Sequence, residues 1–131
     1  MNHVSKESIL IAKKCIPYLY AITDAISACG LSNGDYKFAG VDITKKDKKV
    51  VIKESNTLAG SIVNMHETFL NLLNINISIE DAVKMTSFSA AKYLNESTIG
   101  YLKEGNRSNF LVLDKYLNIE QIFLNGNLMN E

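Results

Sequence analysis

The sequence predicts an α/β chain, and three features carry that prediction. A helical pattern over residues 6–14 runs almost directly into a short apolar stretch at residues 18–22, which is half of a repeating β/α unit. Two apolar, β-branched runs, at residues 41–43 and 50–52, flank a lysine-rich stretch and read as a hairpin. Finally, three helical patterns between residues 61 and 94 give way to strand patterns at residues 110–113 and 119–124.

Taken in order, the first helix has Ser5 as its N-cap, Glu7 in its first turn and Ile9, Leu10 and Ala12 as apolar positions. Lys13 and Lys14 suit the negative end of the helix dipole, and Pro17 excludes further helix. Leu19, Ala21 and Ile22, with Tyr18 and Tyr20, then read as a buried strand ending at Thr23-Asp24, although so short an apolar run also fits a buried helical segment. Residues 25–40 are rich in Gly, Ala and Ser and form a loop with one short strand near residues 36–38. In the hairpin that follows, Thr44-Lys-Lys-Asp-Lys-Lys49 is the charged, solvated tip.

Ser61 is placed as the cap of a helix running to Asn74, with Ile62, Phe69, Leu70 and Leu73 on its apolar face. Ser78, with Asp81 three residues later, marks the next helix start. Two short helices are expected there, over residues 79–86 and 87–94. Gly100 and Gly105 bracket a turn, residues 114–118 form another, and Asn125-Gly126 is a hairpin signal with Leu128 and Met129 on the return strand. These last strands read as part of a separate sheet.

The bulk properties narrow the function classes. With 131 residues, 47% apolar and 21% charged, the chain is of globular composition and sized for one ordinary core. Its formal net charge of zero gives no electrostatic case for nucleic acid or an anionic membrane, and no aromatics interleave with the lysines of residues 44–49. No apolar run is long enough to span a bilayer and the start lacks a signal-peptide pattern, so the expected location is cytoplasmic. Cys15 and Cys29 lack metal-motif spacing and are read as free thiols.

Few residues suggest chemistry. Asp24 is either a carboxylate at the C-terminal mouth of a buried strand, where α/β enzymes place catalytic groups, or the cap of the turn that follows. Ala59 and Gly60, just ahead of the helix expected at Ser61, are either backbone donors for a ligand oxygen or an ordinary capped turn. His3 lies near the terminus, and His66 sits inside a helix as a structural or exposed residue.

Several pieces together resemble one family. Thr23-Asp24-Ala25, Leu58-Ala59-Gly60-Ser61 and Gly100-Tyr-Leu-Lys-Glu-Gly105, followed by Phe110-Leu-Val-Leu-Asp114, occur in this order in N-acetylglucosamine-6-phosphate deacetylases of the amidohydrolase superfamily. His3-Val4 and the closing Ile122-Phe-Leu-Asn-Gly126 match as well, so the resemblance covers essentially the whole chain. One departure is Asn106-Arg-Ser-Asn109, where the family usually continues Lys-x-Ala-Asp.

The resemblance implies only the C-terminal portion of that enzyme, because a (β/α)8 barrel needs roughly 250 residues. Residues 1–97 would be the last part of the barrel with a β-hairpin insertion, and residues 98–131 would be strands of a small β-sandwich. It further implies a divalent metal, zinc or iron, whose glutamate and two histidine ligands lie on earlier strands that this sequence does not contain. Asp24 would be the catalytic proton carrier, His3 a substrate contact, and Leu58, Ala59 and Gly60 the backbone lining of a sugar-phosphate pocket. Glucosamine 6-phosphate and acetate would be the products. A chain with these parts would be inactive alone and would work with a complementary N-terminal chain, in a family whose full-length members are homo-oligomers. The competing expectations are a non-catalytic packing or dimerisation module and a self-sufficient small α/β domain.

Overall fold

A computed structural model describes residues 3–129. Its first element, α1 (Lys6–Cys15), begins where Ser5 Oγ accepts the Ser8 N–H at 3.1 Å. Ile9 and Leu10 pack against the larger of two hydrophobic cores. At the same end of the molecule Lys13 Nζ meets Asp81 Oδ2 at 2.7 Å, with both side chains about a third exposed. The hydrogen bond from that ammonium, above all, holds the Asp81 carboxyl below the usual carboxylate range.

A depressed carboxylate stabilises the fold above its unfolded-state pKa, and that contribution disappears as pH falls through the folded value. Acidification below about pH 4 is therefore expected to loosen α1 first. Lys13→Ala should remove this acid-side step without moving stability at pH 7 by more than about 0.5 kcal/mol, as for exposed pairs generally. Helical circular dichroism followed against pH in both proteins checks it.

The stretch expected to be a buried strand, residues 18–22, forms no ladder: Tyr18 lies in a turn at φ +58° and residues 19–22 belong to no regular element. Ala21 N–H donates to the Met85 carbonyl at 2.8 Å, and Leu19 and Ala21 pack on the larger core, whereas Ile22 is 68% exposed. A parallel strand exists only with strands beside it. Among the described residues, the one such partner is Ser61, in a single parallel bridge with Ala25.

Next come β1 (Gly34–Phe38), β2 (Val41–Lys46) and β3 (Lys49–Ile52), antiparallel in the order β1-β2-β3. The expected hairpin is present, but its strands reach further than the apolar runs suggested. Its tip is the Asp47-Lys48 turn, with Asp47 at φ +53°, and Lys45 is a ladder residue opposite Val50. Lys45 is buried, which corrects the reading of the whole stretch as a solvated tip. This sheet carries the smaller core: Ala28, Ile43 and Val50, backed by Ile26, Tyr36, Ala59 and Ile62.

Helix α2 (Met65–Asn74) is capped by Asn64 and not by Ser61. Asn64 Oδ1 accepts the Glu67 N–H at 2.8 Å and Glu67 Oε2 accepts the Asn64 N–H at 3.1 Å. This reciprocal box satisfies two otherwise orphaned donors, while Ser61 is held in its bridge to Ala25.

Ser78 caps α3 (Ile79–Val83) as expected. The helical run then continues through a widened π turn, Lys84–Phe88, into α4 (Ser89–Tyr93), where two separate helices had been anticipated. Thr86 Oγ1 donates to the Ala82 carbonyl at 2.8 Å, so it back-bonds within the run and does not open a new helix. Phe69, Leu72, Ile75, Ile77, Ala82 and Met85 make up the larger core.

A second sheet follows, β4 (Phe110–Leu113), β5 (Ile119–Leu124) and β6 (Asn127–Leu128), antiparallel in that order. Leu113 and Leu117 pack it onto the larger core, and His66 Nε2 lies 2.7 Å from the Leu117 carbonyl. His66 is thus structural. No residue of this sheet is fully buried. Phe110 and Phe123 stack at 4.5 Å, Leu111 pairs with Ile122 in the ladder, and both Leu111 and Ile122 are exposed. No described helix is long and apolar enough to cross a membrane.

Candidate active site

Two sequence-distant motifs meet at one rim. The first is the end of the apolar segment: Thr23 Oγ1 accepts the Ala25 N–H at 3.2 Å, and Asp24 between them adopts a left-handed φ of +50°. For a residue other than glycine that conformation is uncommon, and Asp is among the side chains that tolerate it best. The Asp24 carbonyl accepts the Ser61 N–H at 3.0 Å, and the Ile26 N–H donates to the Ser61 carbonyl at 2.9 Å. Asp24 itself is exposed.

The second motif is Leu58-Ala59-Gly60-Ser61. Leu58 pairs with Val51, and the Ala59 N–H donates to the Val50 carbonyl at 3.0 Å, so both are bound to β3. Gly60, at φ +79°, then turns the chain from β3 toward Asp24. A Cβ on Gly60 would stand 2.5 Å from Ile26 Cγ2 and 3.7 Å from the Asp24 carbonyl oxygen. Glycine is the residue that allows this approach and this φ together.

One expectation about this motif is overturned. Because α2 starts at Met65, Ala59 and Gly60 do not precede a helix N-terminus, and the Ala59 N–H is engaged by β3. The structure thus brings Asp24 and Gly60 together, with Ala59 and Leu58 behind them. His3 is exposed, and among the described residues no hydrogen bond or ion pair joins it to Asp24 or Gly60.

The donor set does not fit a metal held by this chain. Among the described residues no group of three or more His, Cys, Asp and Glu side chains could hold one. The sequence has two histidines, and His66 is tied to Leu117. Cys15 is exposed, and Cys29 Sγ donates to the Ile62 carbonyl at 3.2 Å.

Two features escaped the sequence reading. One is the burial of Lys45, masked by its place in a run of lysines. The other is an apolar groove of about 970 Å³ between the helices and the second sheet, lined by Met65, Phe69, Val83, Phe110 and Leu111 among others. Its one legible signal was the presence of large apolar residues on both faces of the last strands, as in sheets covered on both sides. None of its lining residues belongs to the Asp24–Gly60 rim.

Comparison with known proteins places this geometry. The chain is 33% identical over 110 residues to N-acetylglucosamine-6-phosphate deacetylase of Lysinibacillus sphaericus, covering 82% of this chain and 28% of that protein. It is 31% identical over 109 residues to N-acetylgalactosamine-6-phosphate deacetylase of Escherichia coli O157:H7, covering 82% of this chain and 29% of that one. The crystal structure of N-acetylglucosamine-6-phosphate deacetylase from Thermotoga maritima superposes with a TM-score of 0.86 at 27% identity, over 96% of this chain and 35% of that chain. The chain therefore spans about a third of the length of these three relatives, in the C-terminal part of the deacetylase structures. The sequence model of the amidohydrolase family matches residues 17–129. That match takes in both sides of the rim, Asp24 and Gly60 alike, and the chain belongs to the amidohydrolase family.

Proposed function

We propose that this chain is the C-terminal part of a metal-dependent hydrolase that removes acetate from N-acetylglucosamine 6-phosphate in amino-sugar catabolism, and that it is inactive alone. The observation that carries the reading is the backbone pairing of Asp24 and Ile26 with Ser61, which sets the two family motifs side by side. In this reading residues 1–97 belong to the last part of a (β/α)8 barrel with β1–β3 as an insertion, and residues 98–131 to a small β-sandwich.

Hydrolysis of an acetamide needs a proton moved twice. The attacking water must lose one, and the amine must gain one before it leaves, because an unprotonated amine is a poor leaving group. An exposed carboxylate at the rim suits both transfers, so Asp24 takes the water's proton as general base and returns it to the nitrogen as general acid. The backbone of Leu58, Ala59 and Gly60 lines the sugar-phosphate pocket in this reading, with Gly60 letting Ile26 pack close against that turn. His3 is the remaining substrate contact. The metal, zinc or iron, would be held by a glutamate and two histidines outside this chain, so no step through it is assigned to these residues.

The test is acetate release from N-acetylglucosamine 6-phosphate and, in parallel, its galactosamine epimer, with zinc or iron added. The chain alone should match a metal-free control. Mixed with a complementary chain bearing the glutamate and the two histidines, it should turn over. Turnover by the chain alone would refute its inactivity, and a stable but silent complex would favour the second reading.

That second reading is a non-catalytic packing or dimerisation module. It is favoured by the second sheet, where Leu111, Ile122, Leu124 and Leu128 are each more than 40% exposed. A sheet that leaves this much apolar surface exposed is suited to a partner surface.

A further inference from the structure

Lys45 is the penultimate residue of β2 and is only 8% exposed, in a chain whose neighbouring lysines, Lys46, Lys48 and Lys49, are exposed. Burying an ammonium is costly unless oxygen atoms replace its water. Here main-chain carbonyls do so: Nζ donates to the Ala28 oxygen at 3.2 Å and to the Leu31 oxygen. Both belong to the loop that follows Asp24. That loop is wound tightly, with the Cys29 N–H bound to the Ile26 carbonyl at 2.9 Å and the Leu31 N–H to the Ala28 carbonyl at 3.3 Å. Ala28 has no exposed surface and joins the core that β2 and β3 supply. The connection is continuous: Lys45 holds Ala28, Ala28 is wound onto Ile26, and Ile26 is bonded to Ser61.

We infer that Lys45 is a positioning residue, fastening the Ala28–Leu31 loop to the first sheet so that the Asp24–Ser61 bridge, and with it the direction of the Asp24 carboxylate, is fixed. Its importance for catalysis rests on the reading of Asp24 given above, but the fastening is testable without any activity. A lysine that only strengthened β2 would, on removal, loosen the whole chain. A fastener loosens the rim and leaves the larger core untouched.

Lys45→Met keeps an unbranched side chain one heavy atom shorter and removes the donor. The Ser61 and Ile26 amides should then exchange with solvent about ten- to hundredfold faster, the scale of losing hydrogen bonds to a charged donor. The Leu72 and Leu73 amides in α2 should keep their rates. Equal acceleration everywhere, or none at Ser61, overturns the inference. Should that variant fail to fold, the natural chain decides. Amine acylation of Lys45 should be the slowest of any lysine and should rise with added urea in parallel with Ser61 exchange. Acylation of Lys45 while Ser61 and Ile26 stay protected overturns the proposal. A failure of the deacetylase reading would leave these exchange rates as they are.

Discussion

Asp24→Asn is expected to lower turnover about 10²–10⁴-fold, the range over which a positioned proton carrier acts, in the chain paired with its complementary partner. Asparagine preserves the shape of the side chain and, like aspartate, tolerates the left-handed backbone observed at φ +50°. It has no carboxylate to take a proton. Because the residue is exposed, folding stability should change by less than about 0.5 kcal/mol. The effect should fall on kcat, with KM little changed, since the proton is transferred in the transition state and not on binding. Asp24→Ala would mix two effects, because alanine pays for the same φ with strain. Kinetics of acetate release alongside urea denaturation separates them, and an asparagine variant that turns over normally removes Asp24 from the mechanism.

Gly60→Ala should be the most damaging single-methyl change at the rim. The new Cβ would lie 2.5 Å from Ile26 Cγ2, a methyl on a stiff β-branched side chain, and it would sit on a backbone at φ +79°. The conformational cost is about 1–2 kcal/mol and the overpacking about 1–3 kcal/mol, so a loss of roughly 2–5 kcal/mol is expected. Ile26→Ala removes the colliding methyl. In that background the added cost of Gly60→Ala should fall to the conformational part alone, giving a coupling of about 1–3 kcal/mol in a double-mutant cycle. Urea midpoints of the four proteins measure it. A Gly60→Ala chain as stable as the parent would mean that the Asp24–Ser61 bridge is not formed as described.

The legible parts of this chain are those decided within a few residues. Ser5 and Ser78 cap their helices because a hydroxyl reaches an amide three residues on, whatever lies elsewhere. The β2–β3 hairpin and the Asn125-Gly126 turn form where apolar runs face each other across short polar links. Ser61 and Asn64 show where local signals compete. Both are good caps, and the choice went to Asn64 because Glu67 completes its box while Ser61 is drawn into pairing with Ala25, 36 residues earlier in the chain, as the bridge records. The π turn is of the same kind. Residues 79–94 contain cap-like Thr86 and Ser87, yet the run stays continuous and the Met85 carbonyl takes the Ala21 N–H.

By itself, the sequence determined the caps of α1 and α3 and the two hairpins, because these depend on neighbours three to ten residues apart, and it carried the ordered motifs that mark the family. Only the tertiary structure decided that Asp24 and Gly60 share a rim, that residues 18–22 lack a ladder and that Lys45 lies inside. The physical reason is common to all three. Strand pairing, steric approach and the desolvation of a charge depend on what surrounds a residue in space, and those surroundings come from stretches of chain far from it in sequence.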